Sequence, residues 1–522
     1  GGGRAYPIRF PPLLPGDVVE VRYRVDDLRQ GFFGDYYGEV FQFQDSVPLD
    51  HVRVALLAPK GRELYFHNAQ GKGPEVVEQT QGEEVVRVWE RRDIAPLEPE
   101  PNMPWLKEVI PQIQVSTFKD WDVFARWYWG LVKSQHEADE AIKAKVLELT
   151  KGAKTTEEKL RRIYNFVVTD IRYSDAWEFG VHGFKPYSAT KIYARKFGDC
   201  KDKATLIGTM CGVIGVEAHP VLIFGEDGRG REDLTLPLMG HFNHCISYVQ
   251  LSKDKGLFLD GTAEYHSYGN LPSMDYGARV VVITPEAGLV KEIPYRAADA
   301  NAVSETHEVT LTKDGQGKVK STLKGTGTFE VVLRQLMTTE GRRVQVLEPR
   351  YGQRYSGAKV EKVEATNPTD LDEPFQLQVE TVLPGMLRKT PDGGFELREL
   401  RSWLFDLIYL RNGNLSNLAA DSTRTHDLVL QVPSAVDESV RYTLPEGASV
   451  KTVPDAVKLE TPFGIYRRVY TREGGTLEVR RVLQLRTTRI SKEQYAEFRK
   501  FVEQIERAER ARPVLDFGGG AQ

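Results

Sequence analysis

Gly198-Asp199-Cys200-Lys201-Asp202-Lys203-Ala204 opens a strongly apolar run, and the chain is best read outward from it. Asp199 is a good helix N-cap, because its carboxylate can accept backbone N–H groups that the first turn leaves without partners. Cys200 then takes the first helical position. A thiol there meets the positive end of the helix dipole, with Lys201 and Lys203 adding charge, and both effects favour the thiolate. Behind it, Ala204, Ile207, Cys211 and Ile214 form one stripe at helical spacing, and Leu206, Met210 and Val213 a second. A helix apolar on two stripes is a buried helix. Gly215 supplies its stop ahead of a strand-like segment at 217–224.

The 522 residues exceed what one core serves and suggest about three domains. Lys plus Arg total 70 against 74 Asp plus Glu, a net charge of -4, so no basic excess points to nucleic acid or an anionic membrane. No apolar run approaches the roughly 20 residues a membrane helix needs, so no membrane insertion is expected of this chain. The opening Gly1-Gly2-Gly3-Arg4 has neither initiator Met nor signal-peptide pattern and reads as a mature or trimmed start, which leaves secretion open. Three cysteines are too few for a disulfide framework. On one helix Cys200 and Cys211 would lie roughly 16 Å apart, and Cys245, beside His244 on a strand, would face the opposite side from it. Three free thiols are expected.

From residue 7 to about 117 the pattern is β. Residues 18–25 alternate, 52–57, 63–67 and 85–90 are further strand candidates, and the Pro-rich 95–104 reads as a surface linker. Helical periodicity follows at 120–133, with an aromatic face of Trp121, Phe124, Tyr128 and Leu131 that reads as core packing. Residues 138–149 and 157–168 continue it, the latter opened by a capping box from Thr155 to Glu158, and a short helix capped by Ser188 leads to Cys200. Strands are expected at 221–224, 244–251, 257–260 and 280–283. Helices first and an antiparallel sheet after them make an α+β unit. The glycine-rich 225–230 lies between β-like segments and opens no helix, so it is no dinucleotide loop.

Beyond about residue 304 the chain is β again, with a hairpin about Asp314-Gly315, a helix at 329–346, strands at 375–382, 428–432, 439–444 and 477–485, and a last helix at 491–507 capped by Ser491. The expected domains are a truncated β domain at 1–117, a catalytic domain at 118–295, a β-sandwich-like domain at 296–512 ending in a helix, and a disordered tail at 513–522.

Thiol chemistry on an amide needs a thiolate, an imidazole that manages its proton, and a group that orients the imidazole. Downstream of Cys200 stand His241-Phe242-Asn243-His244-Cys245 and Phe258-Leu259-Asp260-Gly261-Thr262. His244 opens one strand and Asp260 ends the next, so an antiparallel pairing would bring the carboxylate to the imidazole. Three other readings compete. Cys200 could be a small buried hydrophobe, His241, His244 and Cys245 could hold zinc, and Asp260 could be a turn residue before Gly261.

Residues 179–188 (Phe-Gly-Val-His-Gly-Phe-Lys-Pro-Tyr-Ser), 198–204, Phe242-Asn243-His244 and 259–265 (Leu-Asp-Gly-Thr-Ala-Glu-Tyr) together resemble the transglutaminase-like superfamily. More narrowly they resemble its bacterial members in which a papain-like core stands between an uncharacterised β domain and a second one. The resemblance implies an α+β papain-like transglutaminase core flanked by two mainly β domains. It also implies a cysteine enzyme with Cys200 as nucleophile, His244 as general acid/base and Asp260 as orienting acid. The family often has Pro after that Asp, where this chain has Gly261. Proteolysis, deamidation or amine transfer through an acyl-thioester follows, foremost as a peptidase or amidohydrolase. Protein-glutamine cross-linking, or a silent binding module on the same fold, stands as the alternative. Tyr173 or Trp177 could supply an oxyanion donor beside the Cys200 N–H, or simply pack in the core. No cofactor or metal is called for, a protein or peptide is the expected substrate, and the resemblance implies an exported, periplasmic or cell-surface location.

Overall fold

The computed structural model describes residues 7–26, 34–174, 183–226, 231–253, 255–404 and 415–517. Near the N-terminus, Gly38–Gln42, Gln112–Ser116 and Tyr65–Ala69 pair antiparallel in that order, and Leu49–Pro59, Glu84–Ile94 and Val76–Gln81 form a second three-stranded sheet. Phe43, Trp89, Ile113 and Val115 fill the space between them. The expected strand at 18–25 is not formed: the segment is irregular and exposed, and among the described residues no strand pairs with it. The fully buried strand Gln112–Ser116, which alternation did not reveal, returns to the first sheet after the Pro-rich linker.

That linker is docked rather than free. The Glu100 carboxylate accepts from the Thr425 N–H at 2.6 Å and the His426 N–H at 3.0 Å, and the Val429 N–H donates to the Asn102 carbonyl at 2.8 Å. Arg489 binds Glu108 and Asp427 together, so the C-terminal region grips the chain on the far side of the linker as well.

The middle region carries a five-stranded antiparallel sheet in the order Gly256–Leu259, His244–Gln250, Ala218–Ile223, Arg279–Ile283, Gly288–Glu292. The helix Cys200–Val213 lies on its two strands His244–Gln250 and Ala218–Ile223. Glu140–Thr150, Thr156–Asp170 and Ala189–Arg195 pack on that helix and Trp121–Val132 on the strands Arg279–Ile283 and Gly288–Glu292, each started by the cap its sequence offers: Asp139, Thr155, Ser188 and Asp120.

In the C-terminal region an eight-stranded mixed sheet has Ala302–Leu311 and Ser434–Thr443 as its parallel seam. Its buried face shares one core with the helices Thr328–Met337, Arg343–Gly352 and Tyr495–Arg510, so helices cover a sheet expected to meet mostly strands. The single helix expected at 329–346 is two, separated by a 3-10 turn at Glu340–Arg342. The last helix begins at Tyr495 rather than Ser491, whose hydroxyl instead accepts from the Gln494 N–H at 3.3 Å in the turn before it. The tail needs correction too: Val514–Asp516 is a strand paired with Ser449–Thr452 and Phe395–Leu397, and Leu515 is buried, while 518–522 lie outside the described residues.

Candidate active site

The helix start is built as its sequence requires. The Asp199 carboxylate accepts from the Asp202 N–H at 3.2 Å, and the Asp202 carboxylate accepts in return from the Asp199 N–H at 3.4 Å, which makes Cys200 the first helical residue. Gly198 is required for this closure, because a Cβ there would lie 2.6 Å from the Cβ of Asp202. Asp202 also accepts from the Tyr187 N–H at 2.9 Å and pairs with Arg195, whose guanidinium lies 3.9 Å from the Tyr187 ring centre. Burial pushes the Asp202 carboxyl up, with Asp199 adding to it, against the Tyr187 N–H, Lys201 and Arg195.

The two lysines do not serve the thiol as expected. Lys201 is paired with Asp199, which cancels its charge locally. Lys203 is fully buried about one turn along the helix, where its ammonium donates to the Ile171 carbonyl at 2.6 Å. Burial pulls it down to about 8 despite the nearby Glu264 and Asp260.

Cys200 is half-buried, and its thiol lies near enough to His244 to act on the charge of the ring. His244 begins its strand, and Asp260 follows the last residue of the neighbouring one, whose antiparallel register pairs Ser247 with Leu259. His244 Nε2 lies 3.1 Å from Asp260 Oδ2. With Nε2 engaged there, Nδ1 is the ring nitrogen left for the sulfur. The other carboxylate oxygen of Asp260 accepts from the Thr262 N–H at 2.7 Å and hydroxyl at 2.8 Å, which fixes the group. Burial opposes the charge on His244, but Asp260 and then Cys200 outweigh it and raise the imidazole to about 11. Burial likewise opposes ionisation of Asp260, and hydrogen bonds from His244 and Thr262 overcome it and hold the carboxyl below its ordinary range. Gly261 lets the turn after Asp260 press on the Cys200 helix, since a Cβ there would meet the Lys203 Cβ at 3.0 Å and Ile207 Cδ1 at 3.1 Å.

The other candidates scatter. His241 turns its Nε2 to the Leu236 carbonyl at 3.1 Å, and it does not gather ligand atoms with His244 and Cys245. Cys211 and Cys245 are buried thiols, the first pushed up to about 12 by burial. Tyr173, 39% exposed, stands beside Gly198 in a short parallel pairing, and the Ser174 N–H donates to the Gly198 carbonyl at 3.0 Å. That pairing brings Tyr173 within two residues of Cys200 across the ladder. Trp177, 179–182 and 227–230 lie outside the described residues.

Of two nearby residues, Asp275 carries no sequence signal and Asn243 enters only within the Phe242-Asn243-His244 motif. Asp275, fully buried in a 3-10 turn, brings a carboxylate oxygen within 4.8 Å of ligand atoms of His244 and Asp260. These three groups are the residues here that could meet a metal ion. Asn243 clamps Gly225 from both sides, accepting from its N–H at 2.8 Å and donating to its carbonyl at 3.2 Å, which fixes the chain entering His244. A lone Asp in a polar turn and an Asn before a strand are too common for spacing to single out.

Residues 143–253 match the family described as the transglutaminase-like superfamily. Residues 2–98 match the domain of unknown function DUF3857, and residues 402–515 match DUF3858. No curated protein matches the chain. Among solved structures, a "putative protease" from Parabacteroides distasonis is similar with a TM-score of 0.59 and 15% identity, over 92% of this chain and 75% of its own. A "putative cysteine protease" from Cytophaga hutchinsonii gives a TM-score of 0.21 and 9% identity over 44% of this chain and 79% of its own. Red sea bream transglutaminase gives 0.21 and 12% over 56% and 68%. At 15% identity the first of these establishes a shared fold.

Proposed function

We infer, from a chain that carries a transglutaminase-like domain between a DUF3857 and a DUF3858 domain, that it is a cysteine amidohydrolase acting on peptide or protein amides through Cys200, His244 and Asp260. The observation that carries this is His244, whose Nε2 lies 3.1 Å from the buried Asp260 carboxylate while Cys200 starts the helix packed on the same strand. The Cys200 sulfur attacks the amide carbonyl carbon, and the developing oxyanion is met by the Cys200 backbone N–H, which at the first helical position has no intrahelical acceptor. Tyr173, across from Gly198, is the proposed second donor among the described residues. As the C–N bond breaks, the imidazolium gives its proton to the departing amine and a thioester remains on Cys200. His244 then takes a proton from water, hydroxide adds to the thioester, and the carboxylic acid leaves with the sulfur restored. Asp260 keeps Nε2 occupied so that the other nitrogen handles the proton.

Casein and cell-wall peptide digests, run with and without a primary amine, test this. New carboxyl termini that need Cys200 support hydrolysis. Incorporation of the amine in place of water would keep the acyl-enzyme but make the protein an acyltransferase, and no turnover with Cys200 unreactive towards thiol-directed probes would make it a silent module.

A further inference from the structure

The buried face of the eight-stranded sheet holds a second cluster of ionisable groups, remote in sequence from the thiol. In the parallel seam Glu305 stands directly opposite Glu438, and the next strand places Arg481 opposite Glu438. His307, two residues along from Glu305 on the same face, stands opposite Ser321. Glu305, His307 and Glu438 are all buried. Two carboxylates side by side across a ladder repel, and burial sharpens that repulsion. Arg481 answers Glu438 directly and the Arg354 charge acts on both carboxylates, while on the other side of Glu305 the residue opposite it in the ladder is Leu323.

The remaining hydrogen bonds orient three donor atoms towards one point. Ser402 holds Glu305 Oε1, which leaves Oε2 at 3.1 Å from His307 Nε2. Ser321 Oγ lies 2.8 Å from His307 Nδ1 and so fixes the ring with Nε2 inward. Arg481 donates to Glu438 Oε2 at 2.6 Å. Glu438 is 2% exposed, and its Oε1, 3.8 Å from His307 Nε2, has no hydrogen-bond partner among the described residues. An orphaned carboxylate oxygen aimed at an imidazole nitrogen and a second carboxylate is what a missing cation leaves behind. The spacing fits: a tetrahedral ion with bonds of about 2.0–2.1 Å sets its donors roughly 3.3 Å apart, between the two distances seen.

We propose that Glu305, His307 and Glu438 bind a divalent transition-metal ion, with zinc the best fit to the nitrogen and oxygen donor set, and that this ion ties together the parallel seam of the C-terminal sheet. Each ligand is held from behind by another side chain, as orienting groups do at metal sites. The site is closed to solvent, so the ion enters as the domain folds, and its binding contributes to the stability of two strands more than a hundred residues apart in the chain.

The test uses the full chain, unfolded in guanidinium with a chelator, then refolded with and without Zn²⁺ and gel-filtered. Metal analysis should find about one zinc per chain, and the zinc-loaded protein should melt at least about 5 °C above the metal-free form. Refolding with Co²⁺ should give the visible bands of a tetrahedral site without a thiolate charge-transfer band. Glu438→Gln and His307→Gln should retain less than about a tenth of the metal, and His244→Ala should retain all of it. If a variant fails to fold, the comparison of the two refolded parent samples still decides. Equal melting temperatures with no bound metal, a thiolate band, unchanged uptake by folded Glu438→Gln, or uptake lost in His244→Ala would each overturn the proposal.

Discussion

His244 Nε2 lies 3.1 Å from the completely buried carboxylate of Asp260, whose second oxygen is held by Thr262. If the two residues divide labour as proposed, their substitutions fail differently. His244→Ala removes the leaving-group acid and should abolish turnover. Asp260→Asn keeps a hydrogen-bonding group of the same size beside the ring, and should retain activity lowered by about 10²–10⁴-fold. Steady-state rates on one peptide substrate, with circular dichroism to show folding, check this, and equal losses in both variants would remove the distinction.

The imidazole should hold its proton far above the ordinary value. Its folded value of about 11 exceeds the unfolded value of about 6.5, so the stability it contributes is full below about pH 6.5 and is lost as pH rises towards 11. Ring ¹⁵N shifts of His244 should stay those of imidazolium at pH 8, and in Asp260→Asn the titration should move down. A neutral ring at pH 8 in the parent protein would contradict the charge assignment.

Alkylation should be selective. Cys211 and Cys245 are buried and their thiols are raised by burial, whereas Cys200 is half-buried at a helix start. Iodoacetamide at neutral pH should modify Cys200 first, with the other two protected until the protein unfolds, as read by peptide mass spectrometry.

Gly198→Ala should damage the site from outside it. The added Cβ would sit 2.6 Å from that of Asp202 and prise the capping box open, costing about 1–2 kcal/mol in urea unfolding. Turnover should fall as well, because Cys200 takes its position from that cap. Full activity with unchanged stability would show that the closure is dispensable.

What could be read from the sequence depended on whether the deciding interaction is local. Thr155, Ser188 and Asp199 cap helices through bonds spanning three residues, each as expected, and Asp120 caps the helix it precedes in the same way. The strands of His244 and Asp260 were visible too, because a short polar break separates two apolar runs. Residues 18–25 show the limit: alternation supplies a strand's face but not its partner, and none is present there among the described residues. Ser491 is a good cap by type, yet the helix begins after it, where Tyr495 and Phe498 become buried. Asp275 reaches the site only through tertiary packing. Lys203 looked like a cation for the thiol, but its place one turn along the helix sends it to the Ile171 carbonyl.

The claim that His244 activates Cys200 is tested most directly by the alkylation rate of Cys200 at neutral pH in the parent protein and in His244→Ala, with Cys211 and Cys245 as internal standards. Loss of the imidazole should slow Cys200 by about tenfold or more while the two buried thiols keep their rates. Equal Cys200 rates in the two folded proteins would detach His244 from the thiol and contradict the account.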